Sequence, residues 1–173
     1  MLGNFKPCFA LTETYEGWHK FSNNPNDPGG ATYSGVTQAV WNAYCQRHGI
    51  PRCSVRTMTD EQCEDLYSAQ YWKAIQGDKL PKGLDAVVYD EAVNSGPIAA
   101  IKALQKVLNK KQDGHLGLVT FAAIDRRNVS ELIGAYDANR LSFLHRLKTW
   151  RFFGKGWGAR VANVTEKAKA MVV

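Results

Sequence analysis

Apolar positions recur at helical spacing along most of the chain. Phe5, Cys8, Phe9, Thr12 and Tyr15 share one face and predict a helix over residues 5–16. Its end is expected near Glu16-Gly17, because glycine readily takes the left-handed conformation that closes a helix. Pro7 fits only the first turn. Residues 18–33 show no period and are dense in Asn, Pro and Gly. A loop of that length is long for a connection inside a compact domain, and such loops are often functional.

Periodicity then resumes. In "VTQAVWNAYCQRHG", Val36, Val40, Ala43, Tyr44 and Arg47 fall on one face, and Gly49 ends the run. "TDEQ" at 59–62 has the spacing of a capping box. It opens a helix expected to turn Cys63, Leu66, Tyr67, Gln70, Tyr71 and Ala74 inward and to stop near Gly77. "GLDAVVYDEAVNSGP" carries Leu84, Val87, Val88, Glu91 and Ala92 on one face. Gly96-Pro97 breaks it and begins the next helix, with Pro at its favoured first position. That helix aligns Ala100, Ile101, Leu104, Val107 and Leu108. "KKQDGHLGLVT" is a turn leading to a short helix from Thr120. A long helix follows over 130–150, "GKGWGAR" is expected to interrupt, and a last helix runs on. Val/Ile/Thr-rich alternation is nearly absent, so the fold class is all-α (mostly α).

Composition adds little to this, with 45% apolar and 22% charged residues, ordinary for a soluble globular chain. No apolar run is long enough to span a membrane. The N-terminal "MLGNFKPCFALTETYEG" lacks the apolar core of a signal peptide and reads as part of the mature fold. Charge is distributed unevenly. Residues 1–100 hold 8 Lys/Arg against 11 Asp/Glu, whereas residues 101–173 hold 14 against 5. The basic half would draw anionic polymers towards it, or is simply a solvated helical surface. It has no nucleic-acid recognition motif, and nucleic acid is not an expected partner.

The four cysteines lie at 8, 45, 53 and 63. Cys45, His48, Cys53 and Cys63 match no familiar zinc spacing, so no metal site is expected. Free thiols are the expectation in a reducing compartment, and a Cys45–Cys53 bridge is an option after export.

The chemistry concentrates in "YEGWHKFSNNPNDPGGAT", residues 15–32. A carboxyl at the end of a helix meets the negative end of the macrodipole, which favours the protonated form. Glu16 is thus a candidate general acid for cleaving a glycosidic bond. Asp27, in a polar loop, is a candidate ionised partner, and the Thr32 hydroxyl could orient a water. Trp18, Phe21, Tyr33 and Trp41 could stack on sugar rings. The plain alternative is a solvated helix-end charge followed by an Asp-Pro-Gly-Gly turn.

Several motifs in order favour the chemical reading. Glu16-Gly17 is followed by Asn26-Asp27-Pro28-Gly29-Gly30-Ala31-Thr32 and Ser34-Gly35-Val36-Thr37. Then come "VNSGP" at 93–97, "DGHLGLVT" at 113–120 and "GKGW" at 154–157 with Arg160. Together these resemble glycoside hydrolase family 108, the phage and bacterial N-acetylmuramidases that include endolysins and secretion-activator proteins. The family pattern Glu-Gly-Gly-Tyr is here Glu16-Gly17-Trp18-His19, and the gap to Asp27 is longer.

The resemblance implies a lysozyme-like helical fold with one long active-site loop. It implies a catalytic part at 1–95 and a C-terminal helical peptidoglycan-binding part at 96–173, packed as one unit. The reaction would be hydrolysis of the β-1,4 bond between N-acetylmuramic acid and N-acetylglucosamine, with no cofactor. Glu16 falls on the family's acid, with Asp27 and Thr32 completing a Glu, Asp, Thr order like that of T4-type lysozymes. Trp18, His19, Tyr33, Asp90, Asn94 and Ser95 are the candidate sugar-binding residues. The expected partner is peptidoglycan, reached by a monomer made in the cytoplasm and released to the wall through a holin or a dedicated route.

Overall fold

The computed structural model describes residues 3–23 and 30–172. Asp27, and with it the 26–29 part of the loop motif, lies outside the described residues. Eight α-helices account for most of them, beside one small sheet. The chain forms two compact units, residues 9–70 and residues 1–8 with 71–173.

The unit of residues 9–70 begins part-way along α1 (Phe5–Glu13), which ends earlier than its apolar spacing suggests. The chain continues in single turns, Tyr15 N–H donating to Thr12 and Glu16 N–H to Glu13, until Gly17 takes φ 69°. Three two-residue strands follow: β1 (Phe21–Ser22), β2 (Thr32–Tyr33) and β3 (Val36–Thr37), antiparallel in that order. They are too short for alternation to register in sequence. Thr37 caps α2 (Gln38–His48), accepting from the Val40 N–H, and Gly49 closes it at φ 65°. The buried face of α2 is Trp41, Tyr44 and Cys45, whereas Ala43 and Arg47, placed inward from spacing, are exposed. Val36 had shifted the apparent stripe, because it belongs to β3 and not to the helix. A 3-10 turn (Val55–Thr57) leads to α3 (Asp60–Tyr67), which carries the full Thr59/Gln62 capping box.

A π turn (Ser68–Trp72) continues α3. The wider turn rotates the face, so Trp72 and Ile75 are fully buried while Ala74 is exposed.

The other unit is a helical bundle around α4 (Leu84–Ser95), which packs against α5 (Pro97–Val107), α7 (Val129–His145) and α8 (Trp150–Ala170); the short α6 (Leu118–Ile124) joins α5 to α7. Every residue from Leu84 to Ala92 is buried, as expected of a helix surrounded on all sides. Since α4 packs with the helices that follow it, it belongs with them to the unit of residues 1–8 and 71–173. "GKGWGAR" does not interrupt a helix. It lies inside α8, and the break falls at 146–149. Gly154 is buried because the Trp150 ring occupies the place a side chain would take.

Burial of α4 forces its acids to find partners. Asp85 accepts from the N–H groups of Gly83 and Ala86 and from Asn4 Nδ2, each at 2.8 Å. Asp90 is fully buried and is held by Arg140 and Arg160. Glu91 lies against Tyr136 and Arg140, and burial pushes its carboxyl above the usual range. The 113–120 turn is similarly internal in purpose. The Gln105 amide donates to Asp113 at 2.7 Å and to the His115 carbonyl at 2.9 Å, and accepts from the Gly114 N–H at 2.9 Å.

Candidate active site

The unit of residues 9–70 gathers most of the predicted site. Glu16 is half-buried in the turn that follows α1. Against it stands the β2–β3 hairpin, whose two-residue loop is Ser34-Gly35, with φ 50° and 76°. Two consecutive left-handed residues suit the right-handed twist of such a hairpin. A Cβ added to Gly35 would lie 3.3 Å from the Glu16 carbonyl oxygen and 3.6 Å from the Glu16 Cβ. The firmer obstacle to a side chain there is the Tyr67 hydroxyl, so glycine is what lets the hairpin fit between Tyr67 and the candidate acid.

Ser34 is not a residue that favours the left-handed region, and three hydrogen bonds hold it there. Its N–H donates to Lys20 O at 3.1 Å, its Oγ accepts from the His19 N–H at 2.9 Å, and its carbonyl accepts from the Tyr67 hydroxyl at 3.2 Å. The hairpin is thereby bolted to the Glu16–Lys20 turn on one side and to α3 on the other.

The aromatics line up across this junction. Trp18 meets Phe9 edge-on at 5.1 Å and lies 5.3 Å from the His19 ring. His19 stacks towards Tyr33 at 6.4 Å. His19 Nε2 is 2.9 Å from Asp60 Oδ1, which fixes the ring. Trp18 and Tyr33 are half-buried, so each presents part of a ring to solvent, the form that sugar stacking uses. Thr32 lies next to Tyr33 on β2 and donates its hydroxyl to Gly30 O at 3.1 Å. The surroundings are acidic. Glu13 is pushed above the usual carboxyl range by partial burial, then by Glu64 and Asp60.

Trp41 is different. It is fully buried in this unit and serves as core. Phe21, in contrast, is exposed and carries the Arg56 guanidinium over its ring at 4.4 Å.

The remaining candidates belong to the helical bundle. Asn94 and Ser95 are exposed at the C-terminal end of α4, with Ser95 Oγ donating to Asn94 Oδ1 at 3.4 Å. Asp90 has no surface to offer. With its side chain fully buried and both oxygens taken by arginines, it is a structural ion pair of the bundle and not a group that faces a sugar. Sequence spacing placed it one turn from Asn94 but could not see which side of α4 faced solvent. Asp60 and Tyr67, which hold His19 and Ser34, were not legible as site residues, because each acts through a long-range contact.

The model of the family described as glycosyl hydrolase 108 matches residues 9–96. The chain belongs to that family. Membership puts it among glycoside hydrolases of the peptidoglycan-hydrolase, muramidase type. The matched segment runs from the second half of α1 to the end of α4 and so contains every candidate residue named above. The structure of Brucella abortus SagA is similar over 99% of this chain and 97% of that one, at 36% identity and a TM-score of 0.82. Comparison with curated proteins finds no match.

Proposed function

We propose that the protein is an N-acetylmuramidase that hydrolyses the β-1,4 bond between N-acetylmuramic acid and N-acetylglucosamine, with Glu16 as the proton donor. The observation that carries this reading is the placement of Glu16. Within a family 108 chain, it is the carboxyl against which the Ser34-Gly35 hairpin is built, with Trp18 and Tyr33 half-exposed beside it.

In this mechanism Glu16 protonates the leaving glycosidic oxygen as the bond to C1 breaks. Asp27 stabilises the oxocarbenium-like centre or, with Thr32, activates a water on the opposite face. Trp18, His19 and Tyr33 hold sugar rings, and Asn94 and Ser95, on the helical bundle, are the candidates for hydrogen-bonding N-acetyl groups.

The enzyme meets its substrate after release from the cytoplasm, as a phage endolysin does at lysis. Residues 138–165 carry six Lys/Arg and no Asp/Glu. Of these, Arg146, Lys148, Arg151 and Lys155 are exposed, which supports attraction to anionic envelope polymers.

Glu16→Gln keeps the shape and removes the proton. Wild type should release reducing ends from purified peptidoglycan, and E16Q should lose at least about a hundredfold of that rate. Wild-type turnover by E16Q would overturn the assignment. A 1,6-anhydro product by mass spectrometry would make the enzyme a lytic transglycosylase instead.

A further inference from the structure

The aromatic side chains where α8 begins take no part in the glycan reading. Residues 145–157, "HRLKTWRFFGKGW", hold four Lys/Arg and four Trp/Phe, and no Asp, Glu, Asn or Gln. They lie in the unit of residues 1–8 and 71–173, at the corner where α7 ends and α8 starts.

The rings at this corner form one continuous chain. His145 stacks on Trp150 with ring centres 3.8 Å apart, and Trp150 lies 6.2 Å from Trp157. Trp157 is 5.6 Å from Phe153, which is 6.4 Å from Phe152. The inner part serves the fold, because Trp150 fills the place of a side chain at Gly154. The outer end faces solvent, with Phe152 68% exposed and Phe153 56%. Gly156 and Ala159 follow Phe152 by four and seven positions on the same stripe of α8, and both are small and exposed. Phe152 therefore stands above the helix surface behind it. Single exposed apolar side chains are ordinary, but two adjacent phenyl rings continuous with half-buried indoles make a patch of the kind that marks an interaction surface.

Cations surround the rings. Arg146, Lys148, Arg151 and Lys155 are all exposed. Among the described residues none of the four is in an ion pair. The Arg151 guanidinium lies over the Phe152 ring, 4.6 Å from its centre. We propose that this corner docks on a bilayer of anionic phospholipid. Phe152 and Phe153 enter the boundary between headgroups and acyl chains, and Arg146, Lys148, Arg151 and Lys155 bind headgroup phosphates.

Charge selects this occupant, since four unpaired cations with no carboxylate among them in sequence complement a plane of phosphates. Ring chemistry separates lipid from glycan. A sugar platform sets carboxylates and amides beside its rings to bond the hydroxyls, and residues 145–157 supply none. Phenyl rings have no polar tip and gain most from leaving water altogether. Trp150 and Trp157 suit the headgroup level, where an indole can bury its ring and keep its N–H wet. The long Lys and Arg stems let their charged ends reach the phosphates while the rings go deeper. No helix among the described residues is long and apolar enough to cross a membrane, so α8 would dock by its first turns and stay at the surface. Docking of this kind sets where the protein sits, not which bond it cleaves.

The test is sedimentation of the full chain with vesicles of phosphatidylcholine alone or of phosphatidylcholine mixed with phosphatidylglycerol. The protein should partition into the anionic vesicles and not the neutral ones, and added salt should weaken the binding. Combining Phe152→Ala with Phe153→Ala removes both exposed rings and should lower partitioning at least about tenfold. Combining Arg151→Gln with Lys155→Gln should lower it as well and flatten its dependence on salt. Matching circular dichroism of variants and wild type separates lost docking from lost fold. Failure of wild type to bind anionic vesicles, or unchanged partitioning of the double phenylalanine variant, would overturn the proposal. Ring-dependent capture by purified peptidoglycan in place of vesicles would also overturn it, making the corner a glycan platform. The wild-type readout does not depend on any variant folding, and no vesicle result depends on muramidase activity.

Discussion

Arg160 grips Asp90 through two nitrogens, Nη2 at 2.8 Å from Oδ1 and Nε at 3.1 Å from both oxygens, while Arg140 Nη1 takes Oδ2 at 2.8 Å. One carboxylate thus ties α4 to both α7 and α8 in the centre of the bundle. Removing it leaves two guanidinium groups with no anion between them. Asp90→Ala should cost about 3–5 kcal/mol, read as a lowered midpoint in chemical denaturation. An unchanged midpoint would mean that the arginines do not depend on Asp90.

The two glycines of "GKG" in α8 should respond in opposite directions. At Gly154 a Cβ meets the Trp150 ring, and at Gly156 it meets nothing within 4 Å. Gly154→Ala should destabilise by about 1–3 kcal/mol through overpacking. Gly156→Ala should stabilise by roughly 0.5–1 kcal/mol, because alanine loses less backbone entropy in an exposed helical turn. Thermal melts of the two variants side by side make the comparison.

Asp137 supplies a pH dependence. Burial raises its carboxyl from the ordinary 3.8 to about 6, against the lowering effects of the Thr165 hydrogen bond and Arg140. The folded state therefore holds this proton to a higher pH than the unfolded chain does. The stability contributed by the neutral acid is complete below pH 3.8 and is lost as pH rises through about 6. Asp137→Asn keeps an acceptor for the Thr165 hydroxyl, which donates to Oδ2 at 2.6 Å. The variant should gain stability relative to wild type as pH increases from about 4 to 7, measured by denaturation across that range. An equal difference at every pH would remove Asp137 as the source.

Gly35 and Tyr67 should be coupled. A methyl group at Gly35 would collide with the Tyr67 hydroxyl and would hold a non-glycine residue at φ 76°. Gly35→Ala should cost about 1–3 kcal/mol and reduce release of reducing ends, because the hairpin abuts Glu16. Tyr67→Phe loses the hydrogen bond to Ser34 O, at about 1 kcal/mol, but also removes the colliding oxygen. The double variant should therefore lose less than the sum of the two singles, and strict additivity would separate the two sites.

Much of the helical framework was legible beforehand because it rests on local rules. The Thr59/Gln62 capping box, the Gly96-Pro97 junction and the inward stripe of Ala100, Ile101 and Leu104 all came through. The failures share one cause, which is tertiary contact overriding local preference. A glycine-rich segment reads as a helix break unless a tryptophan is known to fill the side-chain place of one of its glycines, as Trp150 does at Gly154. Likewise, the π turn at Ser68–Trp72 rotated a face that strict 3.6-residue spacing had placed elsewhere.

What the sequence by itself determined was a mostly α chain, its likeness to the muramidases, and Glu16 as the carboxyl to watch, since these depend on spacing and on residue type in order. Only the tertiary structure decided that Asp90 is a buried ion-pair partner and that the Ser34-Gly35 hairpin stands against Glu16. Each of those depends on which side chains meet across long stretches of chain. Such meetings are set by packing and by the need of every buried polar group for a partner, and one-dimensional spacing does not record them.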